Sequence, residues 1–351
     1  MENKIPTLKE IAKKLNFSVS TVSRALNNHP SIGLRTTAQV QKLAKEMGYE
    51  PNRMALLFKQ QKTNILGVIL PNLSEEFFSQ AINGIESEAR KNNYSVLIGQ
   101  SHDNIEEEIK LVTAMKNQRV DGVITSITMH TEDLSHFEEL KKYNIPLVYF
   151  DRVPESNEVH KVASNFITST RQAVEFLIAQ GHKRIGIING PEEMKSCKDR
   201  VKSYMDALSN KKIKIDLSLV ISTDLSQEKV YKAAEELMSL KKPPTAILTI
   251  NDYVALDAIQ YVKRNKSDQE NNIVFVSYAN LPLTHYVAHP PIASVEQYPF
   301  EQAEKATRIL FELIEEKSKT KEPNKDEFFR NVIIEGHLVI HQKKEFPLLI
   351  K

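Results

Sequence analysis

The sequence predicts two fold classes in one chain: a small all-α head, then a larger two-lobed α/β core with parallel sheets. Three observations predict it. The first sixty or so residues carry helical apolar spacing, with capping residues where helices would start. From Ile65 onward, short β-rich apolar runs alternate with amphipathic helical stretches. That alternation begins again near residue 184, so the core reads as two similar halves.

Composition sets the outer limits. The chain has 351 residues, 41% of them apolar, enough for a small domain plus a larger split one. Its single cysteine, Cys197, cannot form an intramolecular disulfide and points to a reducing compartment. The first ten residues are polar and charged, and no run of eighteen apolar residues occurs, so a cytoplasmic protein without a membrane span is expected. The net charge of +2 hides an asymmetry. Residues 1–62 hold eleven Lys/Arg and four Asp/Glu, a net of +7, and the remainder is net −5. A basic head on a mildly acidic body implies an anionic partner for the head alone.

In the head, Thr7-Leu8-Lys9-Glu10 reads as a capping box, followed by Leu8, Ile11, Ala12 and Leu15 at helical spacing. Asn16 tolerates the left-handed turn that would stop this helix. Ser18 is the N-cap of a second helix whose inward face is Val22, Ala25 and Leu26. A third helix is expected from about Thr36 to Met47, closed by Gly48. Two short helices across a three-residue turn, braced by a third, make a helix-turn-helix. The second helix is dense in small hydroxyl residues, which permit close approach to a groove and bonding to phosphates. Arg24 is long enough to reach a base edge.

The runs Thr7-Leu8-Lys9-Glu10-Ile11-Ala12 and Ser18-Val19-Ser20-Thr21-Val22-Ser23-Arg24-Ala25-Leu26-Asn27, with Gly48-Tyr49-Glu50-Pro51-Asn52, resemble the head of the lactose/purine repressor (LacI/GalR) family of bacterial transcriptional regulators. The resemblance implies that Val19, Ser20 and Arg24 face bases, and that Thr7, Ser18, Thr21, Ser23, Asn27 and Tyr49 hold the DNA backbone. Gly33 departs from the usual Ser cap of helix three, and Thr37 stands where a basic residue is common. Residues 51–63 form a segment too short to bury its own apolar side chains. The resemblance makes it a hinge that turns helical when two copies meet on DNA and wedges the minor groove. Asn52 and Ala55 match the pattern there, and Phe58 replaces the usual wedge leucine. The domain reading is therefore a DNA-binding head over 1–50, a hinge over 51–63 and a core over 64–351.

In the core, strands are expected over 65–70, 94–99, 122–125 and 146–150, then 184–188, 219–222, 246–249 and 273–277. Helices are expected over 77–92 and 105–118, then near 168–180, 198–209, 227–239 and 252–265. Ligands in such sheets bind beyond the carboxyl ends of the strands, here between the lobes. The resemblance extends to this core, which it makes similar to periplasmic sugar-binding proteins. It carries weaker motifs, including Asp121-Gly122, Phe150-Asp151-Arg152, Gly181-His182-Lys183-Arg184-Ile185 and Asn251-Asp252. Crossovers are expected near Val162, Ser294 and Asn324. They give one lobe of 64–161 plus 294–323 and another of 162–293 plus 324–345.

Strand ends nominate effector contacts. Phe77 and Phe78 would stack on a sugar or base, Asp151 and Arg152 end a strand, and Asn251, Asp252 and Gln297 offer polar forks. Arg200 matches the family's effector-binding arginine. Asn165-Phe166 replaces the usual Asp-Asn, and Ala279-Asn280 replaces an acid followed by Asn, so no familiar effector transfers position for position. Each nominated residue could instead cap a helix or bridge the lobes.

An enzyme is the competing class. No catalytic constellation, metal-ligand spacing, cofactor motif or phosphate-binding glycine loop is present; Gly84, Gly99 and Gly122 have the wrong spacing, and His182 and Cys197 are isolated. A sugar-transport receptor would share the core and lack the basic head. The expected partners are a near-palindromic double-stranded operator, a small effector, and a second copy in a homodimer, as expected of a sequence-specific regulator of carbohydrate use.

Overall fold

In the computed structural model, the described residues are 6–49, 62–265, 273–319 and 328–341. The chain divides into two compact units, 1–63 and 64–351. In the first, α1 (Leu8–Leu15) follows a complete Thr7/Glu10 capping box and ends on Asn16 at φ 56°. Ser18 caps α2 (Val19–Leu26) by accepting the Thr21 amide. The third helix, α3 (Leu34–Glu46), begins two residues before the expected start, at Gly33, with no side-chain cap. Ile11, Ala12, Val22, Ala25, Val40 and Ala44 form this unit's core. Thr37 is buried rather than offered to a ligand.

The second unit holds two six-stranded sheets. In the first lobe, β1 (Ile65–Leu70), β2 (Ser95–Gln100), β3 (Gly122–Thr125), β4 (Leu147–Phe150), β5 (Lys161–Ser164) and β11 (Asn331–Ile334) lie in the order β11-β5-β4-β3-β1-β2, all parallel. Helices α4 (Glu76–Lys91) and α11 (Pro299–Lys319) cover one face, and α5 (Ile105–Asn117) and α6 (Ser135–Lys142) the other. In the second lobe, β6 (Ile185–Asn189), β7 (Val220–Ser222), β8 (Ala246–Thr249), β9 (Val274–Tyr278), β10 (Ala293–Glu296) and β12 (His337–Ile340) run β12-β10-β9-β8-β6-β7. Only β12 is antiparallel. Its faces carry α7 (Phe166–Ala179) and α8 (Lys195–Asn210), then α9 (Gln227–Ser239) and α10 (Asp252–Asn265).

The crossings differ from the expected ones. Because β5 belongs to the first sheet and β10 to the second, the chain changes lobe at 165 and at 297–298. The third crossing is at 335–336, not near Asn324, because 331–334 pairs with β5 before the chain returns as β12. The Asn165 side-chain amide donates to Glu335 at 2.8 Å, tying the first crossing to the third.

The first lobe contains one very close helix contact. A Cβ on Gly84 of α4 would lie 2.3 Å from the Phe300 carbonyl oxygen of α11. Backbone cannot yield as a flexible side chain does. Gly84→Ala is therefore expected to cost about 1–3 kcal/mol through overpacking. Chemical denaturation of the full chain measures it, and an unchanged midpoint would contradict the close packing.

Candidate nucleic-acid interface and ligand cleft

On the head, Val22 and Ala25 are buried and Leu26 packs against the same core, so α2 is fastened inward and Val19, Ser20 and Arg24 face outward. Thr7, Ser18, Val19, Ser20, Arg24 and Asn27 are exposed, and Thr21, Ser23 and Tyr49 are half-buried. The Ser18 hydroxyl accepts the Thr21 amide at 3.0 Å and lies 2.8 Å from the hydroxyls of both Ser20 and Thr21. The Asn27 amide donates to the Ser23 carbonyl at 2.8 Å. The Arg24 side chain stands clear of these, exposed and with no bond from its guanidinium to any described residue. The face thus combines compact hydroxyl donors with one free cation, a set suited to phosphate oxygens and base edges. Asn52, Ala55 and Phe58 lie outside the described residues.

In the core, a cavity of about 1090 Å³ opens between the lobes and includes Asp151, Arg152 and Phe166 among its walls. Asp151 follows β4 in the left-handed region, at φ 60°. Its carboxylate accepts the Ser126 hydroxyl at 3.1 Å. Burial pushes its carboxyl up, against the pull of Arg152, the Ser126 hydroxyl and Arg200. Arg152 donates to Asp103 at 2.5 Å, and its guanidinium lies 5.9 Å from the Phe78 ring centre.

Other nominated residues sit elsewhere. Phe77 and Phe78 do not line this cavity; both rings are buried in the first lobe's core and meet edge to face. Consecutive positions at the start of α4 both point inward because the helix is enclosed there by β1 and its neighbours. Asp252 also turns inward: it is fully buried and accepts from Ser277, Ser294 and the Leu281 amide. Asn251 caps α10 by accepting the Val254 amide at 2.9 Å. Gln297 is buried at the second crossing, where its carbonyl accepts from Gln302. Arg200 is buried on α8 against Phe166 and Tyr278. Among the described residues no group of three His, Cys, Asp or Glu is placed to hold a metal ion, and no helix is long and apolar enough to cross a membrane.

Two family models match: one for bacterial regulatory proteins of the lacI family over residues 7–52, and one for a periplasmic binding protein domain over 66–318. The transcriptional repressor CytR of Escherichia coli K12 is 32% identical over 306 residues, covering 87% of this chain and 89% of CytR. The chain belongs to the LacI family. Catabolite control protein A of Priestia megaterium is 30% identical, over 87% of this chain and 91% of that protein. Among solved structures, a CelR–cellobiose complex shares 25% identity at TM-score 0.69, covering 95% and 98% of the two chains. The lac repressor dimer bound to operator and ONPF shares the fold at 22% identity and TM-score 0.79, over 96% and 98%. As a member of the LacI family the protein is a DNA-binding transcriptional regulator, not an enzyme.

Sequence reasoning missed several polar residues at the strand ends of this LacI-family core. Asp103 accepts both Arg152 and the Met129 amide. Glu108 is fully buried and accepts from the Thr128 amide, the Thr131 hydroxyl and His136, so it pins the loop after β3. Its signal was present: Glu108, Val112 and Met115 share one helical stripe. Glu75 accepts from Asn72 at 3.3 Å, and burial pushes its carboxyl above the usual 4.5, with Arg152 opposing and Asp151 and Asp103 reinforcing.

A raised folded value means that the folded state binds this proton more tightly than the unfolded chain does. Stability from Glu75 is then greatest in acid and falls as pH rises from about 4.5 through the raised value. Glu75→Gln should therefore raise the melting temperature more at about pH 8 than at about pH 5. An equal change at both would contradict the assignment.

Proposed function

We propose that this LacI-family regulator is a repressor of carbohydrate-utilisation genes, acts in the cytoplasm as a homodimer, and reads a near-palindromic operator. The exposed polar face of α2, with the Arg24 guanidinium free on its last turn, carries this reading. Val19, Ser20 and Arg24 meet base edges. Thr7, Ser18, Thr21, Ser23, Asn27 and Tyr49 hold phosphates. Asn52, Ala55 and Phe58 act in the hinge, with Phe58 as the minor-groove wedge. A sugar or related metabolite enters the inter-lobe cavity and changes DNA affinity through its unequal affinity for the two DNA-binding states.

Asp151 and Arg152 are the effector residues that the cavity favours, since both line it; Arg200, packed on the lining residue Phe166, and Asn251 and Gln297 at the neighbouring strand ends complete the set. Asp252 serves as a scaffold for them, and Phe77 and Phe78 serve as core.

An operator selected from random DNA by the full-length protein tests the head. The logarithm of affinity should fall linearly with the logarithm of salt, with a slope of about −0.9 per neutralised phosphate. A flat response would sink the phosphate-binding role. Thermal denaturation with a panel of sugars tests the cavity, since a ligand at about 100 times its Kd stabilises the native state by about 2.7 kcal/mol.

A further inference from the structure

The N-terminal ends of the second lobe's strands form a surface remote from the inter-lobe cavity. Three loops meet there: 180–184 before β6, 211–219 before β7 and 240–245 before β8. Arg184 stitches them together. Its Nε donates to the Lys242 carbonyl, and a terminal nitrogen donates to the Asp216 carboxylate at 2.7 Å. The other Asp216 oxygen accepts the Ser218 hydroxyl at 2.6 Å. The acid at this joint is therefore already occupied.

Around the joint stand Lys183, Lys211, Lys212, Lys214, Lys241 and Lys242. All six are exposed, and no carboxylate among the described residues pairs with any of them. Elsewhere the core settles such charges locally: Lys91, Lys110, Lys142, Lys195 and Lys232 each pair with a carboxylate on their own helix. The sequence beyond the head is net −5, so this surface runs against the sign of the body that carries it. Helices α7, α8 and α9 end here, and their C-terminal dipoles attract cations. Half a negative charge at each end offsets only about one and a half of the lysines. None of the three helices carries a base in its last turn, where that attraction acts.

One apolar residue stands among the lysines. Leu217 has 69% of its surface exposed. Its loop is anchored on both sides of it: Ile213 and Ile215 pack against the second lobe's core, and Leu219 is buried. A phosphate backbone calls for cations and gains nothing from an exposed leucine. A protein interface uses both, an apolar anchor and charged groups around it that steer the approach. We infer that this surface docks a protein segment of acidic character, with Leu217 seated against an apolar side chain of the partner and the lysines facing its carboxylates. The ammonium groups sit on flexible stems, so they adapt to carboxylates at varied positions.

The test follows the Leu and Ile methyl resonances of the full-length protein, with Leu217 identified by its loss in Leu217→Ser. The probe is a short acidic peptide with one central phenylalanine. It should move the Leu217, Ile213 and Ile215 signals saturably, and added salt should weaken the response. The same peptide with serine for phenylalanine should bind at least tenfold more weakly. The double variant Lys212→Glu/Lys214→Glu, and Leu217→Ser read through Ile213 and Ile215, should each weaken the first peptide at least tenfold. Lys305→Glu, on α11 of the first lobe, should leave these shifts unchanged. Equal binding of the two peptides, or no movement of these signals, overturns the inference. Movement with a scrambled DNA duplex but not with the peptides would make this a nucleic-acid surface and overturn it too. Shifts that follow protein concentration without any peptide would assign the surface to a second copy of the chain, again overturning it.

Discussion

Arg24→Ala is expected to abolish operator selectivity while leaving the head folded. Arg24 is exposed on the last turn of α2, outside the core formed by Ile11, Ala12, Val22, Ala25, Val40 and Ala44. No described residue bonds to its guanidinium, so truncation leaves no buried group without a partner. What disappears is a planar donor able to grip a guanine edge through two hydrogen bonds. One such contact discriminates by about 1–3 kcal/mol, and a dimer makes it twice, so the preference for operator over scrambled DNA should fall by about a hundredfold or more. Non-specific binding should fall much less, because the hydroxyl face of Ser18, Ser20, Thr21 and Ser23 is untouched. Competition binding at one fixed salt concentration reads both quantities. Wild-type selectivity in the variant would remove Arg24 as the reader and move the recognition to Val19 and Ser20.

The head was the most legible part of the sequence because its signals are local. Thr7, Glu10 and Ser18 form their caps within three residues, and the left-handed Asn16 follows from its own side chain. The buried parallel strands were legible too, since a run such as Ile65–Leu70 is almost entirely enclosed. The lobe crossings were harder. The burial of β11 alternates between exposed and half-buried, and its place is decided by pairing with β5 about 170 residues away, which no local pattern encodes. The cavity was harder still. Glu106, Glu107 and Glu108 all look like acids favoured at a helix N-terminus, yet only Glu108 is buried and organises a loop. Phe77 and Phe78 were placed at the correct strand end, but their direction depends on how α4 sits against the sheet.

Asp252→Ala should be the most damaging of the core substitutions, and its effect shows what supports the second lobe's strand ends. The Asp252 carboxylate is fully buried at the start of α10. One oxygen accepts the hydroxyls of Ser277 on β9 and Ser294 on β10, the latter at 2.6 Å; the other accepts the Leu281 amide at 2.7 Å. Between β9 and Leu281 the chain passes through two left-handed residues, Ala279 at φ 89° and Asn280 at φ 49°. Alanine does not adopt that conformation without support, so the Leu281 bond also holds a strained backbone. Burial pushes the Asp252 carboxyl up, and the two hydroxyls and the Leu281 amide oppose it. Because the Ser277 and Ser294 hydroxyls lie 2.7 Å apart and one can donate to the other, truncation leaves the Leu281 amide and one hydroxyl short of an acceptor at about 1–3 kcal/mol each, which points to a loss of about 2–5 kcal/mol. For a unit of this size that is roughly 10 °C in the melting of the core. Asp252→Asn keeps one acceptor oxygen and should lose about half as much, because its amide nitrogen must face a donor. A core transition within about 2 °C of wild type in Asp252→Ala would show that Ser277, Ser294 and Leu281 find other partners. The loop's geometry would then have to come from the strands themselves.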